Sequence, residues 1–300
     1  MEYRVLGRTG EQVSIIGFGA LEIGRDWGIG HGDDIKRPSV EQAATVLHHV
    51  LDLGINIIDT ASAYHQSETR IGQALSKRRH QYFLATKCGE HNREPETYYD
   101  FSYHAIAMSI EESLARLRTS QIDLLQIHFG PNPRNVLEQG DTVRAMREAK
   151  DAGKVRFLGA SCEYDLIDDI IALQDFDVVQ LTYNLLDRRA LDAIKKAADH
   201  ALGILIRFPL AMGWLTPRAK TLIATSSPQA DQLKLKPYLA LLNNDFQQLI
   251  PLALQFIAQR PEVSSILVGT KNVQHLDEAV QAMDHPLPPG IMDEVNRLAK

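Results

Sequence analysis

The sequence predicts an α/β fold, a closed (β/α)8 TIM barrel with an N-terminal β-hairpin plug and long loops after the strands. Short apolar runs alternate with amphipathic stretches from Ile15 to Ala282. Several runs are apolar almost throughout, which is typical of strands covered on both faces. Eight strand–helix units in 300 residues fit a closed barrel better than an open sheet, although periodicity alone leaves an open doubly wound sheet possible.

The elements follow in order. Tyr3–Leu6 and Gln12–Ile15 flank Arg-Thr-Gly-Glu and predict a hairpin that closes the barrel bottom. Strands are expected at Ile15–Ala20, Ile55–Asp59, Tyr82–Lys87, Ile122–His128, Val155–Ser161, Val178–Leu181, Gly203–Phe208 and Ser264–Gly269. Helices between them are expected, among others, at Ser39–Leu53, Phe101–Arg118, Val143–Ala152, Ala190–Ala201 and Phe246–Arg260. Ser39 is a suitable N-cap, and Leu53-Gly54 is a suitable helix end.

Two stretches stand outside the repeat. Residues 24–38 are rich in glycine and charge, and residues 215–242 look irregular. Because loops after strands lie at the active face of a barrel, both are candidate lids or pocket walls. Trp27, Phe129 and Trp214 are candidate wall residues for the same reason. No linker or low-complexity tract divides the chain, which predicts one barrel domain over residues 1–300.

Composition excludes several classes of protein. The net charge of −6 disfavours a nucleic-acid partner. No uncharged apolar run approaches the ~18 residues of a membrane span, and the N-terminus lacks an apolar signal core, so a cytoplasmic protein without a membrane partner is expected. The two cysteines, Cys88 and Cys162, form neither a disulfide framework nor a metal-ligand spacing, so we expect small space-filling residues and no metal.

Four polar residues follow three successive apolar runs: Asp59, Tyr64, Lys87 and His128. Each has an ordinary explanation when taken alone, as a turn cap, a packing residue, a solvated lysine or a core histidine. Strand ends converge at the barrel mouth, however, and four such groups in one register are hard to obtain by chance. They predict an acid–base site.

These four groups suit carbonyl reduction by a nicotinamide cofactor. Tyrosine, with a reference pKa of ~10, is a poor acid at neutral pH unless its phenolate is stabilised. The Lys87 ammonium could provide that stabilisation, and Asp59 would keep the lysine charged and oriented. His128 could donate a hydrogen bond to the carbonyl oxygen. Tyr64 is then the expected proton donor.

The segment Gly17-Phe18-Gly19-Ala20-Leu21-Glu22 begins like a dinucleotide fingerprint but lacks the third glycine. No strong helix is predicted after it, and no suitable acidic residue ends a following strand. A Rossmann-type site is therefore not expected, and a dinucleotide would have to bind in another way.

The sequence resembles the aldo-keto reductase family over essentially its whole length. The similarity is carried by L-G-R-T-G-E-Q-V-S-I-I-G-F-G, D-T-A-S-A-Y-H-Q-S-E, the strand-end Lys87 and I-D-L-L-Q-I-H, and further by G-K-V-R-F-L-G-A-S, V-V-Q-L-T-Y-N and V-G-T-K-N-V-Q-H-L-D-E. The resemblance implies a barrel that binds NAD(P)H across its C-terminal rim. It also implies that Asp59, Tyr64, Lys87 and His128 form the catalytic set.

The resemblance implies cofactor contacts as well. Ser161 and Gln180 would bond to the nicotinamide carboxamide. The adenosine end would lie on Gly269, Thr270, Lys271 and the following helix, with Lys271 at a 2′-phosphate and Glu278 at the adenine amino group.

Some positions depart from the family pattern. Cys162 replaces an asparagine beside the carboxamide serine, and Arg207 replaces an aromatic residue that stacks on the nicotinamide. A guanidinium could stack there instead. His275 stands where an arginine often binds the 2′-phosphate, and Ala279 replaces a common asparagine. These four changes weaken a strict preference for NADP, although NADP(H) remains favoured over NAD(H).

The sequence thus predicts an NAD(P)H-dependent oxidoreductase that interconverts aldehydes or ketones, including sugar-like compounds, and alcohols. Its expected partner is a small carbonyl or alcohol substrate. Two alternatives remain: a non-catalytic regulatory barrel that senses nicotinamide nucleotides, and a Schiff-base lyase that uses Lys87 as its nucleophile. The particular substrate, the reaction direction and the oligomeric state are not predicted.

Overall fold

A barrel of eight parallel strands lies at the centre of the computed structural model, which describes residues 1–28, 35–225 and 230–298. The barrel strands are β3 (Ile16–Gly19), β4 (Ile57–Asp59), β5 (Phe83–Cys88), β8 (Ile122–His128), β9 (Val155–Ser161), β10 (Val178–Thr182), β11 (Gly203–Arg207) and β12 (Ser265–Gly269). They are hydrogen-bonded in chain order, and β12 pairs with β3 to close the ring. The predicted (β/α)8 barrel is confirmed.

Helices surround the strands. They are α1 (Leu21–Gly24), α2 (Val40–Asp52), α3 (Ser67–Leu75), α4 (Tyr103–Leu117), α5 (Pro133–Gln139), α6 (Asp141–Asp151), α7 (Ile167–Leu173), α8 (Leu191–Asp199), α9 (Ala219–Thr225), α10 (Ala230–Leu241), α11 (Leu249–Ala258), α12 (Val273–Ala282) and α13 (Ile291–Arg297). The capping box expected of a serine-led helix is present at α2: Ser39 Oγ accepts from Gln42 N at 3.2 Å, and Gln42 Oε1 accepts from Ser39 N at 2.9 Å.

An antiparallel hairpin of β1 (Tyr3–Val5) and β2 (Gln12–Ser14) precedes the barrel. Leu6 and Val13 are fully buried with inward-facing barrel residues such as Leu205. Gly203 has no room for a side chain, because a Cβ there would lie 2.7 Å from Leu6. The hairpin region therefore closes one end of the barrel, as the sequence predicted.

Two loop expectations need correction. Residues 215–242 are largely helical, since they contain α9 and α10, rather than irregular. A second hairpin, β6 (Glu90–Arg93) paired with β7 (Glu96–Tyr99), follows β5 and was not expected, because its sequence is polar and lacks apolar alternation. The expectation for residues 24–38 falls partly on residues 29–34, which lie outside the described residues.

Inward and outward positions alternate along every barrel strand, as the period of two requires. Near the plugged end the inward positions carry apolar side chains, including Ile57, Ala85 and Leu124. Two residues further along the same strands the inward positions are Asp59, Lys87 and Gln126. The barrel interior is therefore apolar at the end that the hairpin closes. A polar layer of side chains lies at the carboxyl ends of the strands.

Candidate active site

The predicted acid–base residues meet at the carboxyl ends of the barrel strands. Strand register explains the meeting: Lys87 is opposite Gln126, His128 is opposite Ser161, and Ser161 is opposite Gln180. Tyr64 lies in the loop after β4, five residues beyond Asp59. Parallel pairing thus gathers side chains that are far apart in sequence into one polar layer.

Lys87 joins the aspartate and the tyrosine. Its ammonium, almost fully buried, donates to Asp59 Oδ2 at 2.5 Å, to the Thr60 carbonyl at 2.9 Å and to Tyr64 Oη at 3.4 Å. These three acceptors match the three protons of the ammonium. Burial alone would lower the pKa of Lys87, but Asp59 and Tyr64 outweigh burial and the pKa lies above its usual value. The lysine is therefore held charged.

Two glutamines complete the surroundings of Asp59. Its Oδ1 accepts from Gln126 Nε2 at 2.8 Å and from Gln180 Nε2 at 2.9 Å. Sequence reasoning missed Gln126, although its position two residues before His128 placed it on the same face of β8. The carboxylate is fixed on both oxygens, so it can hold Lys87 in one orientation.

The tyrosine differs from the expectation in its acidity. Burial raises the pKa of Tyr64, and the Lys87 ammonium lowers it, but burial has the larger effect and the pKa remains above 10.0. Lys87 therefore acts in the expected direction without making the phenol a strong acid in the absence of other charges. Because Lys87 donates to the phenol oxygen, the phenol proton is left for another acceptor.

His128 is also at the cavity, and its neighbour was not foreseen. The ring meets Tyr64 edge to face, with centroids 5.9 Å apart. Its Nδ1 lies 2.9 Å from Glu90 Oε2, off the direction in which the ring N–H points. Burial lowers the pKa of His128, and Glu90 opposes that effect without cancelling it. The sequence carried no signal for Glu90, because it lies on the unexpected hairpin.

A cavity of about 770 Å³ opens above this layer. It is bordered by Asp59, Tyr64 and His128 and by most of the predicted cofactor-binding residues, namely Ser161, Gln180, Arg207, Gly269, Thr270, Lys271, His275 and Glu278. Trp27 also borders it, whereas Trp214 is buried in the core and, with Phe129, does not. One continuous space therefore connects the acid–base residues with the start of α12.

At the end of the cavity where the sequence predicts the nicotinamide, the polar side chains form hydrogen bonds with one another. Ser161 Oγ donates to Gln180 Oε1 at 3.3 Å and accepts from Arg207 Nη1 at 2.9 Å. The guanidinium also bonds to Thr182 Oγ1 at 2.9 Å and to Glu163 at 2.5 Å. Several acceptors therefore fix the plane of the guanidinium, and Glu163 partly compensates its charge, so it can present a flat stacking surface.

At the opposite end, α12 begins at the N-cap Asn272, whose side chain accepts from Gln274 N at 2.9 Å. Thr270 Oγ1 lies 3.3 Å from His275 Nδ1, and Lys271 Nζ donates to the Lys36 carbonyl at 2.5 Å. A helix N-terminus with adjacent basic groups is suited to phosphate.

Three glycines differ in whether the surrounding protein leaves room for a side chain. A Cβ at Gly17 would lie under 3.0 Å from Ser265, Ile57 and Leu267, so barrel packing requires this glycine. Gly19 and Gly269 differ, because a Cβ at either would meet the protein only at ordinary distances of 3.5 Å or more. Both border the cavity. Their missing side chains leave room for close approach of an extended ligand such as a nicotinamide nucleotide, which fits this site.

The cysteines are space-filling in character. Both are buried and unpaired, and burial raises the pKa of each thiol to about 12. Cys162 does not border the cavity, and its side chain packs into the core beside Ser161. A thiol held neutral in this way is a weak nucleophile.

A parallel barrel that gathers a carboxylate, a lysine and a phenol at the carboxyl ends of its strands carries groups suited to acid–base chemistry. The aldo/keto reductase family model matches residues 15–300 of the chain. The chain therefore belongs to the aldo/keto reductase family, as the sequence motifs indicated, and it is an NAD(P)-dependent oxidoreductase.

Individual relatives agree with this membership. The chain is 32% identical over 297 residues to L-galactose dehydrogenase of Arabidopsis thaliana, covering 94% of this chain and 88% of the relative. It is 27% identical over 310 residues to NADH-specific methylglyoxal reductase of Escherichia coli strain K12, covering 93% and 92%. Among solved structures, the holo form of aldo-keto reductase AKR11C1 from Bacillus halodurans superposes with a TM-score of 0.80 at 28% identity, covering 100% and 97%.

Within residues 1–28, 35–225 and 230–298, no helix is long and apolar enough to cross a membrane. In the same ranges, no three His, Cys, Asp or Glu residues are grouped so that they could hold a metal ion.

Proposed function

We propose that the enzyme interconverts aldehydes or ketones and alcohols by hydride transfer, with Tyr64 as the proton donor. One observation carries the proposal: Lys87 donates to the phenol oxygen of Tyr64, which leaves the phenol proton directed elsewhere, beside a cavity. The similarity to L-galactose dehydrogenase supports a sugar-like substrate.

The cofactor would supply or accept the hydride at the reacting carbon. Tyr64 gives its proton to the substrate oxygen as the carbonyl becomes an alkoxide, and the Lys87 ammonium stabilises the resulting phenolate. Asp59 compensates the buried lysine charge throughout. Solvent returns the proton to Tyr64 after the alcohol leaves.

We further propose that NADP(H) is preferred over NAD(H). Lys271, two residues before α12, and Arg218 both border the cavity and add positive charge at the end where an adenosine phosphate would lie. Ser161, Gln180 and Arg207 would hold the nicotinamide end, with a carboxamide replacing part of the Ser161–Gln180 contact. Glu278 would meet the adenine.

The two alternatives differ in what they require of Lys87. A Schiff-base nucleophile needs a neutral amine, and the buried contacts with Asp59 and Thr60 favour the ammonium instead. A regulatory barrel would bind nucleotide without turnover, so it is separated from the oxidoreductase by the experiment below.

The test compares Tyr64→Phe with wild type and with Tyr99→Phe, an exposed tyrosine on the second hairpin. Initial rates of NADPH and NADH consumption are measured with a reactive aromatic aldehyde, and cofactor binding is measured separately. Tyr64→Phe should keep binding and lose turnover by about 10²-fold or more, since general acid catalysis contributes that much. Unchanged turnover would refute Tyr64 as the acid, and nucleotide binding without wild-type turnover on any carbonyl compound would favour the regulatory barrel.

A further inference from the structure

Arg207, the last residue of β11, brings a guanidinium to the polar end of the barrel, where it borders the cavity. Its Nη1 donates to Ser161 Oγ at 2.9 Å, and its Nε donates to Thr182 Oγ1 at 2.9 Å. Its Nη2 donates to the Cys162 carbonyl at 3.3 Å and to Glu163 Oε1 at 2.5 Å. All three nitrogens are thus bound by residues at or just after the ends of β9 and β10. The guanidinium is therefore held at the cavity wall.

The positive charge of Arg207 is compensated from the solvent side. Its side chain is 20% exposed, whereas that of Glu163 is 58% exposed, so water screens the carboxylate more than the guanidinium. The remaining acceptors, two hydroxyls and a carbonyl, are neutral. Burial is the largest influence on the pKa of Tyr64 and of His128, and at both the Arg207 charge acts to lower the pKa. The charge of Arg207 therefore acts on the interior of the cavity.

The two oxidation states of a nicotinamide cofactor differ in the charge of the ring. The ring carries a positive charge when it is oxidised and none when it is reduced, whereas the phosphates are the same in both states. In the proposed function, hydride and proton reach the same carbonyl group, so the ring has to lie near Tyr64, at the end of the cavity that Arg207 borders. A guanidinium at that end repels the oxidised ring and has no charge to repel in the reduced one.

We propose that Arg207 selects the oxidation state of the cofactor, so that the enzyme binds the reduced nicotinamide nucleotide more tightly than the oxidised one. The inference rests on the proposed function and adds this selection to it. In carbonyl reduction the hydride forms the new C–H bond, the C=O π bond breaks and the oxygen takes the Tyr64 proton, so the nicotinamide ring gains one positive charge near Arg207. Repulsion then favours release of the oxidised cofactor, and it makes the bound cofactor a stronger oxidant than the free one.

The test measures dissociation constants of NADPH and NADP⁺ by calorimetry on the full-length chain without substrate. The two nucleotides differ only in the ring, so contacts with phosphate and adenine cancel in their ratio. Wild type should bind NADP⁺ about tenfold more weakly than NADPH, which corresponds to a shift of about 30 mV for a two-electron couple. Arg207→Gln keeps hydrogen-bonding groups without the charge and should bring the ratio close to one. A ratio unchanged by Arg207→Gln would overturn the proposal.

Glu163→Gln supplies a second variant with the opposite expected effect. It leaves Arg207 in place and removes the compensating charge, so the ratio should widen about two- to fivefold, as expected for the loss of an exposed ion pair. Asp168→Asn, which removes the exposed carboxylate paired with Lys196 outside the cavity lining, is the matched control and should keep the wild-type ratio. A purely structural role of Arg207 would weaken both nucleotides alike. An unchanged or narrowed ratio in Glu163→Gln would overturn the proposal even if Arg207→Gln did not fold.

A nucleotide without the nicotinamide ring separates an effect at the ring from an effect at the phosphates. The probe is 2′-phospho-ADP-ribose, which should bind wild type, Arg207→Gln and Glu163→Gln with equal affinity. If Arg207→Gln weakened this probe as much as it weakened NADPH, Arg207 would be a phosphate contact and the proposal would be overturned. Because no substrate is present, the ratio of dissociation constants is obtained whether or not Tyr64 proves to be the acid, so the two proposals fail independently.

Discussion

Residue-scale chemistry in this enzyme depends on how buried charges are compensated. Lys87 would be costly to bury alone, but Asp59, Thr60 and Tyr64 each accept one of its protons. These three contacts hold the ammonium in place. Burial nevertheless raises the pKa of Tyr64 more than the ammonium lowers it. In the proposed mechanism, the lysine therefore holds the phenol oxygen and stabilises the phenolate once it forms.

Lys271 allows a direct test of cofactor preference. If its ammonium meets a 2′-phosphate, Lys271→Ala should weaken NADPH binding by about tenfold or more and change NADH binding little, because a charge-assisted hydrogen bond contributes ~1.5–3 kcal/mol. Dissociation constants for both cofactors, measured by fluorescence titration, check this. Lys220→Ala, an exposed lysine outside the cavity lining, is the control. Equal weakening of NADPH and NADH would contradict the proposed phosphate contact.

Glu22 predicts a pH dependence of stability. It borders the cavity, and burial raises its pKa to about 7 although Lys271 and Arg218 oppose the change. Between pH 4.5 and 7 the folded state therefore holds a proton that the unfolded state has lost, so its contribution to stability is full below pH 4.5 and is lost as pH rises to 7. Glu22→Gln cannot lose this contribution.

The expected result is that wild type loses roughly 1–3 kcal/mol of unfolding free energy relative to Glu22→Gln across this pH range. Urea denaturation of both proteins at several pH values measures the difference. A constant difference between the two proteins would show that Glu22 titrates at its ordinary pKa.

At the scale of elements, short motifs act at a distance from the chemistry they support. The second hairpin carries no apolar stripe, yet it delivers Glu90 to His128 through β-pairing and the Ser62 and Thr97 contacts. The capping box at α2, by contrast, was readable because serine and glutamine three residues apart satisfy the first helix donors locally.

The capping box supplies a test of element stability. Ser39→Ala removes the side chain that accepts from Gln42 N and should lower the free energy of unfolding by about 0.5–2 kcal/mol. Chemical denaturation measures the loss, and Ser39→Asp, which can also cap the helix, should recover most of it. Because α2 packs outside the barrel, kcat/KM of Ser39→Ala should stay near the wild-type value. A large loss of activity under conditions where the variant is fully folded would contradict a purely structural role for Ser39.

At the scale of the whole molecule, the barrel separates stability from chemistry along its axis. Leu6 and Val13 fill the closed end with apolar contacts, whereas the polar layer of Asp59, Lys87 and Gln126 lies at the carboxyl ends of the strands. Substitutions at the plugged end should therefore affect folding much more than catalysis.

Leu6→Ala tests this separation. Truncating a fully buried leucine should cost about 2–5 kcal/mol of unfolding free energy, since a cavity remains in the rigid barrel. Val5→Ala, at a half-exposed neighbour, should change stability by less than ~0.5 kcal/mol. Thermal unfolding measures both, and kcat/KM of Leu6→Ala well below its Tm should match wild type. A comparable loss for both variants would contradict the plug.

The sequence foretold the barrel and its strands closely because apolar strand runs and alternating helices are local patterns. The bounds of the eight strands were within two residues of those observed. Prediction from the sequence failed for the second hairpin and for helices α9 and α10, which have weak local signals. Pro237 lies inside α10, and an interior proline is an argument against a helix in any sequence. Tertiary contacts of buried residues such as Leu235 and Tyr238 stabilise that helix instead.

By itself the sequence determined the fold class, the family and the identity of Asp59, Tyr64, Lys87 and His128 as the candidate set, since these follow from residue type and strand position. Only the tertiary structure decided the partners of those groups. Gln126 and Gln180 on Asp59, and Glu90 on His128, result from strand register and hairpin placement. Protonation depends on such partners and on burial, which act through space, so no local pattern in the chain could have fixed it.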